Sequence, residues 1–238
     1  MGQVPKKKEN KLYLIVGNGR LARHFTTYFT LKNIPHYHWY RRSELRLRPL
    51  LKKTEKALVF ISDGAIVPFI LEHQTNYITW IHCSGVLSTP MAECAHPLMA
   101  FPETMFDLKT YTQIPFVTEK GRKSFPELFP ELSNPHFSIS PEHKPLYHAW
   151  CVMSGNFTTL LWQRFFEKLE SEYALPKEAA YPYLKQISEN LIHSQNPLTG
   201  PLVRGDEKTI STHLELLEDD PYRQVYEAFV NAFKQTQR

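Results

Sequence analysis

Cysteine is scarce in this chain: Cys83, Cys94 and Cys151 are the 3 in 238 residues. They form no Cys-x-x-Cys pair and leave an odd count, which argues against a disulfide framework or a zinc ribbon. Reduced thiols in a cytoplasmic protein are expected. Long apolar runs are missing too. None approaches the roughly 18 residues of a membrane span, and no signal peptide is read at the start, so no membrane association is expected. Met1-Gly2 does not complete a myristoylation pattern, because position 6 is Lys6 where Ser or Thr is needed. Neither sign of charge dominates. A net charge of +4 suits an anionic small ligand but is no nucleic-acid footprint, which needs a clustered basic face. The short run Lys6-Lys7-Lys8 reads as a solvated tail. Internal repeats and low-complexity tracts are absent as well. What remains is ordinary for a globular chain, 42% hydrophobic and 22% charged, with length for one large or two modest domains.

The most informative stretch is Lys11 to Leu31. Leu12-Tyr13-Leu14-Ile15-Val16 is a short apolar run suited to a buried parallel strand. Gly17-Asn18-Gly19-Arg20-Leu21-Ala22 follows at once, and then Leu21, Phe25, Tyr28 and Phe29 recur at helical spacing. Strand, tight turn and helix thus enclose the pattern Gly-x-Gly-x-x-Ala. Gly17 permits the sharp turn, Gly19 lets a pyrophosphate approach the backbone, and Ala22 lets helix and strand pack closely. The helix N-terminus would hold the phosphates through its free N–H groups and dipole. A tight strand–helix turn without a ligand is the alternative.

Further strands are expected at His36 to Tyr40, Ala57 to Ile61, Tyr77 to Ile81, Ile114 to Thr118 and Phe137 to Ile139. Strands alternating with helices at this spacing predict a mostly parallel sheet with helices on both faces. Ligands of such sheets sit beyond the carboxyl ends of the strands. After the second strand stand Arg41, Arg42 and Ser43, where arginine would accommodate the 2′-phosphate of NADP. Glu44 beside them keeps NAD as an alternative, and a solvated loop end is the other reading. Ser62-Asp63 closes the third strand as a helix cap. His82-Cys83-Ser84-Gly85 follows the fourth, and His96-Pro97-Leu98-Met99-Ala100-Phe101 comes soon after. His82, Ser84 and His96 would converge near the reacting end of a bound nicotinamide, where histidine can exchange a proton near neutral pH. Alternatively they satisfy backbone groups at strand ends. No metal is expected, since the histidines are far apart and a third ligand is lacking.

From about Glu142 to Tyr173 the pattern turns helical. Leu146, Trp150, Met153, Phe157, Leu160, Leu161 and Phe165 mark one side and Cys151, Val152 and Trp162 the other, which predicts a central, buried helix. His148 and Gly155, seven apart, stack on the second side, with Asn156 beside them. A mid-helix glycine costs roughly 1 kcal/mol against alanine, so either a ligand or another helix should come close to Gly155. Three more helices are expected, from Pro176 to about Gln195, from a cap at Asp206 to Leu217, and from Asp220-Pro221 onward.

With these residues in place the chain resembles a group of Rossmann-like NAD(P)-dependent oxidoreductases with a C-terminal helical domain of unknown function. That group is related to ketopantoate reductase, pyrroline-carboxylate reductase and 6-phosphogluconate dehydrogenase. The resemblance rests on Gly17 to Ala22, Ser62-Asp63, His82 to Gly85, His96 to Phe101, Tyr147-His148, Ser154-Gly155-Asn156, Leu198 to Pro201 and Arg204-Gly205-Asp206. The His-Pro-Leu stretch is also similar to the histidine motif of prephenate and arogenate dehydrogenases, in which the histidine hydrogen-bonds the substrate hydroxyl. It implies His96 as the catalytic histidine and Ser84 as its helper. The chain departs from the 6-phosphogluconate and ketopantoate enzymes in lacking their lysine before the asparagine. Val152 sits one turn before Asn156, and His148 is the nearest polar group on that side.

The expectation is therefore an α/β chain, a Rossmann dinucleotide-binding domain over 1–141 followed by a smaller all-α domain over 142–238 that closes the substrate pocket and dimerises. NADP or NAD would bind at Gly17 to Ala22, Arg41 to Ser43, Ser62 and His82. His96, Ser84, Asn156 and His148 would face a small carbonyl, imine or hydroxy compound. Dinucleotide binding without turnover is the rival. Methyl transfer from S-adenosylmethionine is disfavoured by Arg41-Arg42, since an acid normally ends the second strand there.

Overall fold

Tyr13 and Ile15 face one side of a sheet and Leu14 and Val16 the other, and all four are buried. A strand covered on both faces has no polar side to alternate, which is why the sequence shows an unbroken apolar run. This computed structural model describes residues 12–237; the Lys6-Lys7-Lys8 run and Met1-Gly2 lie outside the described residues. The chain forms two compact units, Met1–Leu161 and Trp162–Arg238.

The first unit is built on one seven-stranded sheet in the order β2-β1-β3-β4-β5-β6-β7. Its strands are β1 (Tyr13–Val16), β2 (His36–Trp39), β3 (Lys56–Val59), β4 (Thr79–His82), β5 (Glu93–Pro97), β6 (Phe116–Glu119) and β7 (His136–Ile139). All neighbours run parallel except β5 and β6, which pair antiparallel through Ala95–Thr118, His96–Val117 and Pro97–Phe116. The mostly parallel α/β class is as expected from sequence. One strand was not foreseen: β5 carries Glu-Cys-Ala-His-Pro, with no β-branched residue and a closing proline. His96 thus lies inside a strand, not after one.

Helices cover both faces, as continuous apolar strands require. On one side α1 (Arg20–Leu31) packs Ala22, Phe25, Tyr28 and Phe29 against Tyr13, Ile15 and Leu58. Two short helices, α4 (Leu108–Gln113) and α5 (Phe125–Leu128), bring Tyr111, Phe125 and Leu128 to the same cluster. On the other side α2 (Leu47–Leu51) and α3 (Asp63–His73) bury Leu50, Leu51, Ile66 and Ile70 against Leu14, Val16 and Val59. Fully burying one such side chain contributes roughly 1.5–3 kcal/mol, so the two layers are the main source of stability.

After a 3₁₀ turn at Pro141–His143 the chain continues as α6 (Lys144–Cys151), a π-helical turn at Val152–Phe157, and α7 (Thr158–Glu172). A uniform α-helix was expected; the π turn falls on Ser154-Gly155-Asn156. The expectation of burial is also corrected. Leu146, Trp150, Met153, Phe157 and Leu160 are exposed, Trp150 to 58%. A helix apolar on all sides needs cover on all sides, and the described chain covers only part of it.

In the second unit Trp162 meets Phe166 and Tyr183 at ring-centroid distances of 5.7 Å each. A 3₁₀ turn at Lys177–Ala180 leads into α8 (Tyr181–His193), and the short α9 (Pro201–Arg204) precedes α10 (Glu207–Leu216) and α11 (Tyr222–Thr236). Asp206 caps α10 by accepting from the Thr209 N–H at 3.1 Å. Asp220 accepts from the Tyr222 N–H at 2.9 Å and pairs with Arg164 at 2.9 Å. Both acids sit at helix N-termini, where the dipole favours them.

Candidate functional site

Gly17 has φ of +119°, and a Cβ there would lie 2.2 Å from the Phe60 carbonyl oxygen. Only glycine fits that turn. His38 Nε2 donates to the Gly17 carbonyl at 2.6 Å, tying the turn to β2. At Gly19 the situation is opposite: a Cβ would meet nothing within 4 Å. Gly19 is the N-cap of α1, no acidic residue occupies that helix's first turn, and its first N–H groups lack a capping side chain. A 12-residue helix with open space at its positive end is a natural anion site. Asn18 is exposed beside it, Ala22 is fully buried beneath, and Leu21 packs against the core.

Two clefts flank this turn. The first, about 210 Å³, is lined by Gly19, Arg20, Leu21, Asp63, Cys83 and Ser84 among others. Arg20 Nη1 donates to the Phe101 carbonyl at 3.4 Å. The second, about 280 Å³, runs from Gly17 past Tyr40 and Arg41 to Ser62 and Phe69. Arg41 and Ser62 therefore share a cleft with the glycine turn. Arg42 is exposed next to them, and Ser43 closes the β2 turn with its N–H on the Tyr40 carbonyl at 2.8 Å. Ser62 is at the N-cap of α3, yet its side chain makes no capping bond; the expected cap is corrected to that extent.

A third cleft, about 530 Å³, brings together His96, His148, Gly155 and Asn156 with Pro97 to Ala100 and Val152. The π turn presents Gly155 and Asn156 there, and such turns recur at functional sites. Nothing among the described residues lies within 4 Å of a Cβ built on Gly155, so its side-chain position is open space. His96 Nδ1 is hydrogen-bonded to the Tyr147 hydroxyl at 3.1 Å, and its ring stands edge-on to His148 at 5.8 Å between centroids. Burial, then the neighbouring His148 and Lys144, pushes the His96 pKa down to about 4, with Asp63 opposing. The ring is thus neutral at pH 7.

Ser84 lines the first cleft, and Gly85 beside it backs the His96 and His148 rings that line the third. The Ser84 hydroxyl donates to Asp63 Oδ2 at 2.7 Å and accepts from the N–H groups of Leu87 at 3.0 Å and Val86 at 3.3 Å. Its proton is committed to the carboxylate, and it pins the β4 end to the start of α3. His82 is fully buried and lines none of these three clefts. Its Nδ1 accepts from the Ser84 N–H at 3.2 Å, and burial pushes its pKa down to about 3.

Three further residues, each present in the motifs above but given no place in the site by sequence, contribute to it. A Cβ on Gly85 would lie 2.2 Å from the His148 ring and 3.0 Å from His96 Nε2, so this glycine makes room for both histidines. Tyr147 holds His96, and burial followed by its neighbour Cys151 raises its hydroxyl's pKa. Asp63 holds Ser84. The signals were weak but present: a glycine directly after Ser84, a tyrosine directly before His148, an acid directly after Ser62. Among the described residues no cluster of His, Cys, Asp and Glu is arranged to hold a metal ion, and no helix is long and apolar enough to cross a membrane.

No curated protein matches the sequence. Solved structures do. The Bacteroides fragilis protein BF3122, provisionally named an NADP oxidoreductase, is similar over 95% of this chain and 99% of its own, at 22% identity and a TM-score of 0.76. A reductive aminase from Aspergillus terreus, in complex with NADPH and ethyl levulinate, matches over 96% and 94% at 14% identity and a TM-score of 0.62. The Plasmodium falciparum pyrroline carboxylate reductase with NADP bound matches over 95% and 98% at 13% identity and a TM-score of 0.58. At such identities the likeness is one of fold. Residues 115–233 match the model of a domain of unknown function, DUF2520, which is 119 of the 238 residues. The chain is therefore a member of the DUF2520 family, carried on the Rossmann-type fold of these NADP(H)-binding oxidoreductases.

Proposed function

We propose that this chain is an NADP(H)-dependent oxidoreductase acting on a small carbonyl, imine or hydroxy compound. The observation that carries the reading is the run of adjoining clefts. It leads from Arg41 and Ser62 over the glycine turn, through Ser84-Gly85, to His96 and Asn156. The residues fit a dinucleotide: Gly17 is forced by the turn, Gly19 leaves open space, and the α1 N-terminus carries no competing acid. The first turn of α1 with Asn18, Arg20 and Leu21 would hold the pyrophosphate. Arg41, Arg42, Ser43 and Ser62 would hold the phosphorylated ribose. His82, buried behind Ser84, would act by fixing the β4 end. The cofactor supplies the hydride; the protein's share is orientation and proton handling.

In this reading residues 1–141 bind the cofactor, and the helical stretch over 142–161 supplies the substrate side. His96, neutral and held by Tyr147, would exchange the proton at the substrate oxygen or nitrogen. Asn156 would orient that atom by hydrogen bonding, Ser84 would help through its Asp63 bond, and His148 is the reserve proton carrier. The exposed stripe from Leu146 to Leu160 would be buried in a homodimer. The three cysteines are free, in keeping with a cytoplasmic protein. Dinucleotide binding without turnover is favoured by one observation: Val152, not a lysine, lines the cleft one turn before Asn156.

Calorimetric titration with NADPH and NADH tests the cofactor half. The parent should prefer NADPH, and Arg41→Ala should lose roughly 1.5–3 kcal/mol of NADPH affinity while leaving NADH nearly unchanged. Equal parental affinities would retire the preference for NADP. Tight NADPH binding without oxidation by any carbonyl or imine panel would favour the sensor reading.

A further inference from the structure

The third cleft has a chemical bias of its own. Its apolar wall is Pro97, Leu98, Met99, Ala100 and Val152, and its polar groups are His96, His148, Cys151, Ser154 and Asn156. Burial holds the His96 ring neutral at pH 7. Among the described lining residues there is no lysine, arginine, aspartate or glutamate. Lys144, the cation one turn before His148, is buried with its ammonium 2.7 Å from Glu119 Oε1 and on the Leu87 carbonyl, so its charge is already spent. Asp63 lines the cleft beside Gly19 instead.

An anionic substrate placed here would give up hydration and gain no counter-charge, a loss that neutral hydrogen-bond donors only partly offset. A cationic one would find no carboxylate in the wall. An uncharged molecule would bury carbon against Leu98, Met99 and Val152 and still reach Asn156 and His96 with one polar atom. We propose that this cleft selects an uncharged, largely apolar carbonyl, imine or alcohol and discriminates against carboxylates and phosphates. The inference rests on reading the cleft as the substrate side of the oxidoreductase proposed above. Leu98 and Met99, exposed by 45% and 38%, are its specificity-determining residues.

Cys151 offers a probe that needs neither cofactor nor turnover, because it lines the cleft while Cys83 and Cys94 are buried. Iodoacetamide and iodoacetate alkylate a thiol alike but differ by one negative charge. Their rate ratio at Cys151, read by mass spectrometry in the folded protein, is compared with the ratio for a peptide of residues 148–154. The ratio should favour iodoacetamide by about tenfold more in the protein than in the peptide, and Met99→Lys should bring it back toward the peptide value. A ratio at or below the peptide's, or no alkylation by the neutral reagent, overturns the proposal. In parallel, NADPH oxidation with cyclohexanone is compared with 4-oxocyclohexanecarboxylate; faster oxidation with the carboxylate also overturns it. If NADPH does not bind, the oxidoreductase reading falls on that result alone, and the alkylation ratio still reports on the cleft.

Discussion

Individual residues here are legible by what they would cost if changed. His82 and His96 are both held neutral, with pKa values down to about 3 and 4. Their folded values lie below the roughly 6.5 of an unfolded histidine, so the unfolded chain takes the proton first. Their stabilising contribution is complete above that value and is lost as pH falls toward the folded values. Urea unfolding at pH 7 and pH 5 should show a loss of roughly 2 kcal/mol per histidine. His82→Asn should lose less between the two pH values than the parent; a parent that gains stability on acidification would contradict this. The glycines divide in the same way. Sequence spacing identified Gly17 and Gly19 because the pattern between strand and helix has a mechanical rationale at each position. Gly85 has no role legible in sequence, because its reason lies in the rings of His96 and His148, and contacts across 11 and 63 positions of sequence leave no local pattern.

At the scale of elements, apolar runs located six of the seven strands to within two residues, since burial on both faces leaves a local signature. The missing strand, β5, is held by pairing on both sides rather than by its own propensity. Periodicity found the long helix but missed the π turn at Val152–Phe157, because one extra residue per turn is decided by packing and not by composition. Gly155 sits in that turn with open space around its Cα. Gly155→Ala should therefore stabilise the chain by roughly 0.5–1 kcal/mol through the reduced entropy of the unfolded state. Thermal unfolding checks it, and a lowered midpoint would mean that the position is crowded by something the chain itself does not supply.

For the whole molecule, the apolar periodicity of α6 and α7 was right about sequence and wrong about burial within one chain. Leu146, Trp150, Met153, Phe157 and Leu160 remain exposed. In the proposed homodimer they would be covered, and the contact would join the apolar-patch class that marks association surfaces. Sedimentation of the parent should then show a dimer at micromolar concentration. Trp150→Lys should shift it to monomer while costing little chain stability, since this side chain is 58% exposed. A monomeric parent would contradict the dimer and leave the stripe unexplained.

Dinucleotide binding at the α1 N-terminus is open to a clean test in Gly19→Asp. Gly19 has an ordinary φ of −71° and empty space where a Cβ would go, and aspartate is a favourable N-cap. The substitution should leave thermal stability equal or higher. Gly17→Ala, at φ +119° against the Phe60 carbonyl, should instead unfold more readily. In a calorimetric titration the folded Gly19→Asp protein should lose NADPH affinity by about a hundredfold, from a negative charge set against the pyrophosphate. Titration with NADPH indistinguishable from the parent would mean that no dinucleotide binds at the α1 N-terminus.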